Sequence, residues 1–185
     1  MKFLRFFIII FISLTTSIKA DLNKNLINQL EDGGKLIFIR HAYAPGSGDP
    51  DNFNLNDCST QRNLSKEGQR QAKYIGEFFR NNKVKIDKVL SSEWCRCKET
   101  AQIAFKKFST NSFLNSFYSS KFAKNKDKQV KALKEYIKKF KSDKNLVLVT
   151  HYVLISEILN YGPSSGEIVV SNKNLNIIGS LEINY

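Results

Sequence analysis

A chain of 185 residues is long enough for one domain with a proper core and too short for two comfortable ones. Hydrophobic residues make up 42% and aromatic residues 12%, which excludes wholesale disorder. The formal net charge of +12, from 29 Lys and Arg against 17 Asp and Glu, favours anionic over cationic ligands, although a Lys- and Asn-rich solvated surface accounts for it equally well.

The first element is not part of the fold. Lys2 and Arg5 precede an apolar run from Phe6 to Leu14, followed by Thr15, Thr16, Ser17, Ile18, Lys19 and Ala20. That is the order of a secretory signal, with cleavage expected after Ala20 or after Ser17. The run is about half of the roughly 20 residues a membrane-spanning helix needs. The expectation is a signal over 1–20 and one exported domain over 21–185, periplasmic or extracellular, with no stable membrane insertion after cleavage.

Strand-like and helix-like segments then alternate. Asp21 to Asp32 reads as a short helix stopped by Gly33 and Gly34, and Lys35 to Ile39 as a buried strand. A long loop, Ala42 to Asn63, is rich in Gly, Pro, Asp and Asn, and loops of this length are usually functional. Ser65 is an N-cap for a helix with Ala72, Ile75, Gly76 and Phe79 on its inner face. A strand over Ile86 to Leu90 precedes a helix from about Trp94 to Lys107, with Ala101, Ala104, Phe105 and Phe108 inward. Phe113 to Tyr118 reads as an irregular strand. Gln129 to Lys141 is an amphipathic helix with Val130, Leu133, Ile137 and Phe140 on one side. Its surroundings, Lys121 to Lys144, hold ten lysines and three acids, a pattern that suits a solvated face better than a lipid or nucleic-acid surface. Leu146 to Val149 is a fully apolar strand, Tyr152 to Leu159 a helix, and Ile168 to Val170 and Ile177 to Ile183 closing strands, the last an antiparallel edge. The pattern predicts an α/β fold, a three-layer α/β/α sandwich on a mostly parallel sheet.

The chain has only two histidines, His41 and His151. Each follows an apolar strand, after Arg40 and Thr150 respectively. In an open parallel sheet those strand ends share one edge, where ligands bind. Arg96, beyond the strand that ends near Ser91 and Ser92, reaches the same edge. Two guanidiniums and two imidazoles make a pocket for a tetrahedral dianion, since guanidinium forks match phosphate oxygens.

These residues resemble the histidine phosphatase superfamily, which includes phosphoglycerate mutases and acid phosphatases. Arg40-His41-Ala42 is similar to its R-H-G signature. Leu64-Ser65, Gly68 and Gln71-Ala72 are similar to its L-[ST]-x-x-G-x-x-Q-A segment. Ser91-Ser92 leading to Arg96 and then Thr100-Ala101 resembles a third segment, and Thr150-His151 its second histidine. The matches come in family order over about Lys35 to Leu159. The resemblance implies a phosphoglycerate mutase-like fold with His41 as the nucleophile that takes the phosphoryl group. Arg40, Arg96 and His151 would hold the equatorial oxygens. No cofactor and no metal is implied, and the expected partner is a small phosphorylated substrate rather than nucleic acid. Nothing in the pattern sets an oligomeric state.

Departures from the family are Ala42 in place of glycine and the lack of a clear acid for the leaving group. Where the mutase-like branch has a glutamate, this chain has Ser119, Ser120 and Lys121. Tyr152 follows His151, so the His-Asp pair of the acid-phosphatase branch is also missing. Glu93 is the nearest carboxylate to the expected pocket and the candidate proton donor; a helix N-terminal acid favouring the dipole is its other reading. A phosphohistidine or an acyl phosphate, with its good leaving group, would not need the acid. Arg62, the only basic residue of the loop, is a candidate for a second anionic group of the substrate. Three cysteines in an exported chain allow one bridge, Cys58 with Cys97 or Cys95, which would pin the loop beside Arg96. A zinc site lacks the usual ligand spacings. Export argues for a phosphomonoesterase acting on sugar phosphates or phosphorylated glycans. A non-catalytic anion-binding module and a secreted basic ribonuclease are the rival readings.

Overall fold

The computed structural model describes residues 24–183; the expected signal over 1–20 lies outside them. Helix α1 covers 24–32. Strand β1 (Leu36–Arg40), helix α2 (Lys66–Asn81), β2 (Ile86–Ser91), α3 (Cys95–Phe105), the two-residue β3 (Ser109–Thr110), α4 (Ser120–Ala123), α5 (Lys126–Lys139), β4 (Asn145–Thr150), α6 (Tyr152–Leu159), β5 (Ile168–Ser171) and β6 (Ile177–Leu181) follow. The six strands form one sheet in the order β3-β2-β4-β1-β5-β6.

Both faces of the sheet are covered, because the central strands are apolar at every position rather than alternately. Ile37, Ile39, Val147, Val149 and Val170 point to one side and meet Leu26 and Leu30 of α1, Ile75 and Phe79 of α2 and Ala101 and Ala104 of α3. Leu36, Phe38, Leu146, Leu148 and Val169 point to the other and meet Leu133 and Ile137 of α5 and Leu154 and Ile155 of α6. Each fully buried Leu or Ile contributes about 1.5–3 kcal/mol of transfer free energy. Three layers result, as the alternating segments predict. Among the described residues, no helix is long and apolar enough to cross a membrane.

Register brings the functional edge together. Arg40 stands opposite Thr150 where β1 runs parallel to β4, and Ser91 stands opposite Val149 where β2 runs parallel to β4. His41, Ser92 and His151 are therefore the first residues beyond three adjacent parallel strands. The His41 N–H still donates to the Thr150 carbonyl at 2.9 Å and the Ser92 N–H to Val149 at 2.9 Å, so the ladder fixes these backbones past the strand ends.

The structure corrects several boundaries. Two pairings are antiparallel, not one: β5 begins beside Ile39, at the end of β1, and runs back along it, and β6 is antiparallel to β5 in turn, so β5 alone runs against the other strands. Phe113 to Tyr118 is no strand but a short 3-10 turn, Ser112–Leu114, and an extended tail. Its apolar residues Phe113, Leu114 and Phe117 signalled burial against α5 and α6. Helix α3 stops at Phe105 because Lys106 turns into positive φ. Helix α5 begins three residues earlier than Gln129 and ends at Lys139, with Phe140 extended beyond it.

Candidate active site

Each strand end hands one functional group to the edge. His41 follows β1 directly, and its ring is buried. Its Nδ1 lies 2.8 Å from the carbonyl of Ala42. A carbonyl only accepts, so Nδ1 carries the proton and Nε2 presents its lone pair. Arg96 Nε donates to that Nε2 at 3.2 Å, in keeping with this tautomer. Burial first, then the Arg96 charge, push the His41 imidazole well below its ordinary value of 6.5, with Arg62 and Arg40 adding to the effect against the Ala42 hydrogen bond. His41 is thus a neutral base near pH 7.

The turn after His41 is held by the two shorter sequence motifs. The Ala42 N–H donates to Thr100 Oγ1 at 3.0 Å, and the Tyr43 N–H to Gln71 Oε1 at 2.9 Å. Gln71 in turn donates to the Ser165 carbonyl at 2.7 Å. Ser65 caps α2 by accepting from the Gly68 N–H at 3.1 Å. Gly68 must be glycine, because a Cβ there would sit on the Tyr43 carbonyl oxygen. The helices α2 and α3 therefore clamp the loop that carries the histidine.

His151 is the N-cap residue of α6, extended at φ −115° and ψ 156°. Its ring centroid is 5.5 Å from that of His41. His151 Nε2 lies 2.8 Å from Ser92 Oγ, which also donates to Asn115 Oδ1 at 3.0 Å. The serine has one hydroxyl proton and spends it on Asn115, so Nε2–H of His151 donates to the serine and Nδ1 is the free nitrogen. Burial, Arg96 and His41 hold this imidazole well below 6.5 as well.

Arg40 donates through Nη1 to the Pro163 carbonyl at 2.9 Å and lies over the Tyr152 ring at 5.5 Å. Arg96, in the first turn of α3, is 3% exposed. Arg40, His41, Arg62, Arg96 and His151 all line one cavity of about 180 Å³, whose remaining wall includes Trp94, Phe122, Tyr118 and Tyr152. The four residues expected at the edge are thus together, and Arg62 joins them. Arg62 is occupied with its own loop: Nε donates to the Gly48 carbonyl at 2.8 Å and Nη1 to that of Ala44.

One expectation changes, and of the two bridges that the sequence allowed one is formed. Glu93 does not line the cavity; its carboxylate accepts from Asn115 Nδ2 at 2.6 Å, so it anchors the segment behind the histidines. Cys58 pairs with Cys95, at a Cα–Cα distance of 5.7 Å, and not with Cys97. Cys97 is buried and unpaired because it lies on the inner side of α3, where burial pushes its thiol up to about 12. Among the described residues no three His, Cys, Asp or Glu side chains gather to hold a metal ion.

One residue escaped the sequence reading. Asp49 enters the cavity from the long loop, with Oδ1 2.7 Å from Arg96 Nη1 and Oδ2 3.2 Å from Nη2. No short-range pattern marks it, since its partner lies 47 positions away.

Residues 36–115 match the model of the histidine phosphatase superfamily (branch 1). No curated protein sequence matches the chain. Among solved structures, the chain is similar to a phosphoglycerate mutase from Thermus thermophilus, with a TM-score of 0.55 and 15% identity over 81% of this chain and 99% of the mutase. It is similar to a phosphoserine phosphatase from Entamoeba histolytica, with a TM-score of 0.54 and 19% identity over 74% of this chain and 89% of that one. It is also similar to the protein histidine phosphatase SixA complexed with tungstate, with a TM-score of 0.50 and 14% identity over 82% of this chain and 94% of SixA. At these identities the likeness is one of fold.

Proposed function

We propose that this chain, a member of the histidine phosphatase superfamily, is a phosphatase that works through a phosphohistidine on His41. One observation carries the reading: His41 Nδ1 is committed to the Ala42 carbonyl at 2.8 Å while Nε2 faces the Arg96 guanidinium at 3.2 Å. That is a neutral nucleophile whose lone pair points at a cation able to hold its target.

The reaction follows from the groups present. The dianion of a phosphorylated substrate enters among Arg40, Arg96 and His151, whose positive and hydrogen-bonding groups face the equatorial oxygens. His41 Nε2 attacks phosphorus in line; the N–P bond forms as the P–O bond to the leaving group breaks. Arg40 and Arg96 stabilise the charge that spreads over the three oxygens. His151 Nδ1 takes up a proton as the dianion arrives, because the negative charge offsets the burial and, after it, the cations that keep the imidazole neutral. Water then attacks the phosphohistidine, the N–P bond breaks and inorganic phosphate leaves. SixA, similar in fold, has been solved complexed with tungstate, a tetrahedral oxyanion.

We also propose that the protein acts outside the cytoplasm. The charged, apolar and small-residue order of 1–20 and the Cys58–Cys95 disulfide support this, since such bridges persist in oxidising compartments. The substrate is then a phosphomonoester of that space, such as a sugar phosphate or a phosphorylated glycan. The test is phosphate release from 4-nitrophenyl phosphate by the wild type and by His41→Ala, with trapping of the phosphoenzyme. Release that depends on His41, and a base-stable, acid-labile phosphate on it, support the reading. Release unaltered in His41→Ala sinks it.

A further inference from the structure

We propose that Asp49 is the proton donor to the leaving group, loaded with its proton by the arrival of the substrate. The inference rests on the phosphohistidine reading and supplies the acid that the sequence motifs lack.

Asp49 is the only carboxylate among the described residues that line the cavity. Four donors hold it: Arg96 Nη1 at 2.7 Å and Nη2 at 3.2 Å, Trp94 Nε1 at 3.1 Å and the Arg62 N–H at 3.1 Å. The carboxylate sits on the guanidinium fork that the phosphoryl group of a substrate has to share. The loop is shaped to put it there. Gly46 and Gly48 both adopt positive φ, at +86° and +70°, values side chains rarely tolerate. Pro50 follows directly, and the Cys58–Cys95 bridge ties the same loop to the residue before Arg96.

With the cavity free, Asp49 is an anion. Burial works to raise its carboxyl, but the Arg96 hydrogen bond and charge, with Arg62 and Trp94, outweigh that and hold it below the ordinary carboxylate value. A phosphoryl dianion reverses the balance. Its oxygens compete for the same Arg96 N–H groups, and Asp49 then faces two negative charges across a cavity of about 180 Å³. A carboxylate beside like charge takes up a proton. The acid is therefore formed only when a substrate is present.

Position fits the step. In-line attack by His41 expels the leaving oxygen on the side of phosphorus away from the histidine, toward the remaining cavity wall. Asp49, held on the Nη end of the Arg96 guanidinium while His41 meets its Nε, gives its proton to the leaving oxygen as the P–O bond breaks and the N–P bond forms, so the product departs as a neutral alcohol. The carboxylate left behind accepts a proton from the water that cleaves the phosphohistidine. Glu93 cannot do this, because it is bonded to Asn115 outside the cavity. Tyr118 and Tyr152, which also line the cavity, are the competing donors.

The test measures kcat/KM, which reports formation of the phosphoenzyme, for aryl phosphates from 2,4-dinitrophenyl to phenyl phosphate and for an alkyl phosphate. The wild type should show little dependence on leaving-group pKa, and Asp49→Asn a steep one. The expected loss is about 10²–10⁴-fold for phenyl and alkyl phosphates and far smaller for the dinitrophenyl ester, with partial rescue in Asp49→Glu. Tungstate should bind Asp49→Asn more tightly, because the competing carboxylate is gone. A uniform loss across the series, or a profile in Asp49→Asn that matches the wild type, overturns the proposal. If Asp49→Asn does not fold, a steep dependence in the wild type alone also overturns it. Turnover independent of His41 is a different failure, that of the phosphohistidine reading.

Discussion

The Thr100 hydroxyl accepts the Ala42 backbone N–H at 3.0 Å and donates to the Arg96 carbonyl at 2.7 Å. One buried oxygen thus connects the turn that carries His41 to the helix turn that carries Arg96. The two groups come from segments 55 positions apart, and their relative placement depends on this link as much as on the sheet.

Thr100→Val should therefore damage stability and rate together. The substitution keeps the shape but leaves the Ala42 N–H buried without an acceptor, which costs about 1–3 kcal/mol. Urea unfolding should show that loss, and kcat/KM should fall at least tenfold because small displacements of reacting groups are expensive. Thr100→Ser, which keeps the hydroxyl, should recover most of both. A valine variant as active as the wild type would show that the link does not set the geometry.

The pH dependence follows from the two imidazoles. Both sit well below 6.5 in the folded chain, chiefly through burial and then through Arg96. His41 is then already neutral at mildly acidic pH, so the acidic limb of kcat/KM should lie below 6.5 and not on it. For stability, the unfolded chain takes up protons near 6.5 while the native one resists them. The contribution is in place above about 6.5 and declines as pH falls from there toward the lower native values. Urea midpoints at pH 7.5 and 5.5 in phosphate-free buffer measure it. The drop should be smaller in His151→Gln, and an equal drop in both would show that His151 titrates as it does in water.

Much of this was legible in the residues because it depends on local pattern. Strands such as Leu146–Val149 are apolar at every position, and a histidine after each of two such strands points to one sheet edge once the strands run parallel. Ser65 as a cap and the amphipathic face of α2 are local in the same sense. What was hidden depends on distant pairing. Asp49 looks like any loop acid until Arg96 is placed beside it. Glu93 looks close to the pocket in sequence, yet Asn115 turns it away. Phe113 and Phe117 carry a burial signal that does not distinguish a strand from an extended tail. Gln71 and Thr100 were visible as motif letters, but their hydrogen bonds to the turn after His41 needed the packing of α2 against α3.

The Cys58–Cys95 bridge closes a loop over a sequence separation of 37. Constraint of the unfolded chain by a loop of that length is worth about 4 kcal/mol at most, and measured values run lower. Cys58→Ser with Cys95→Ser should lower stability by about 2–4 kcal/mol in denaturant melts. The Cys95 backbone is held independently of the bridge, since its N–H donates to Gln61 Oε1 at 2.9 Å. The double variant should therefore keep its fold while the segment carrying Asp49 loosens, which lowers kcat/KM most for substrates with poor leaving groups. An equal loss for good and poor leaving groups would show that the bridge acts on α3, which carries Arg96, and not on the loop.

Arg96 uses three nitrogens at once, with Nε on His41 and Nη1 and Nη2 on Asp49. A lysine supplies the same charge at a single point and cannot reproduce that fork. Arg96→Lys should accordingly lose about 10²–10³-fold in kcat/KM, the scale for removing a donor that stabilises transition-state charge, and Arg96→Ala at least as much. His151→Ala should fall by a similar order, since it removes the proton that meets the phosphoryl oxygens. The lysine variant also separates charge from geometry. If it retains near-wild-type turnover, a positive potential in the cavity suffices, and the directed contact between Arg96 and the phosphoryl group is not what accelerates the reaction.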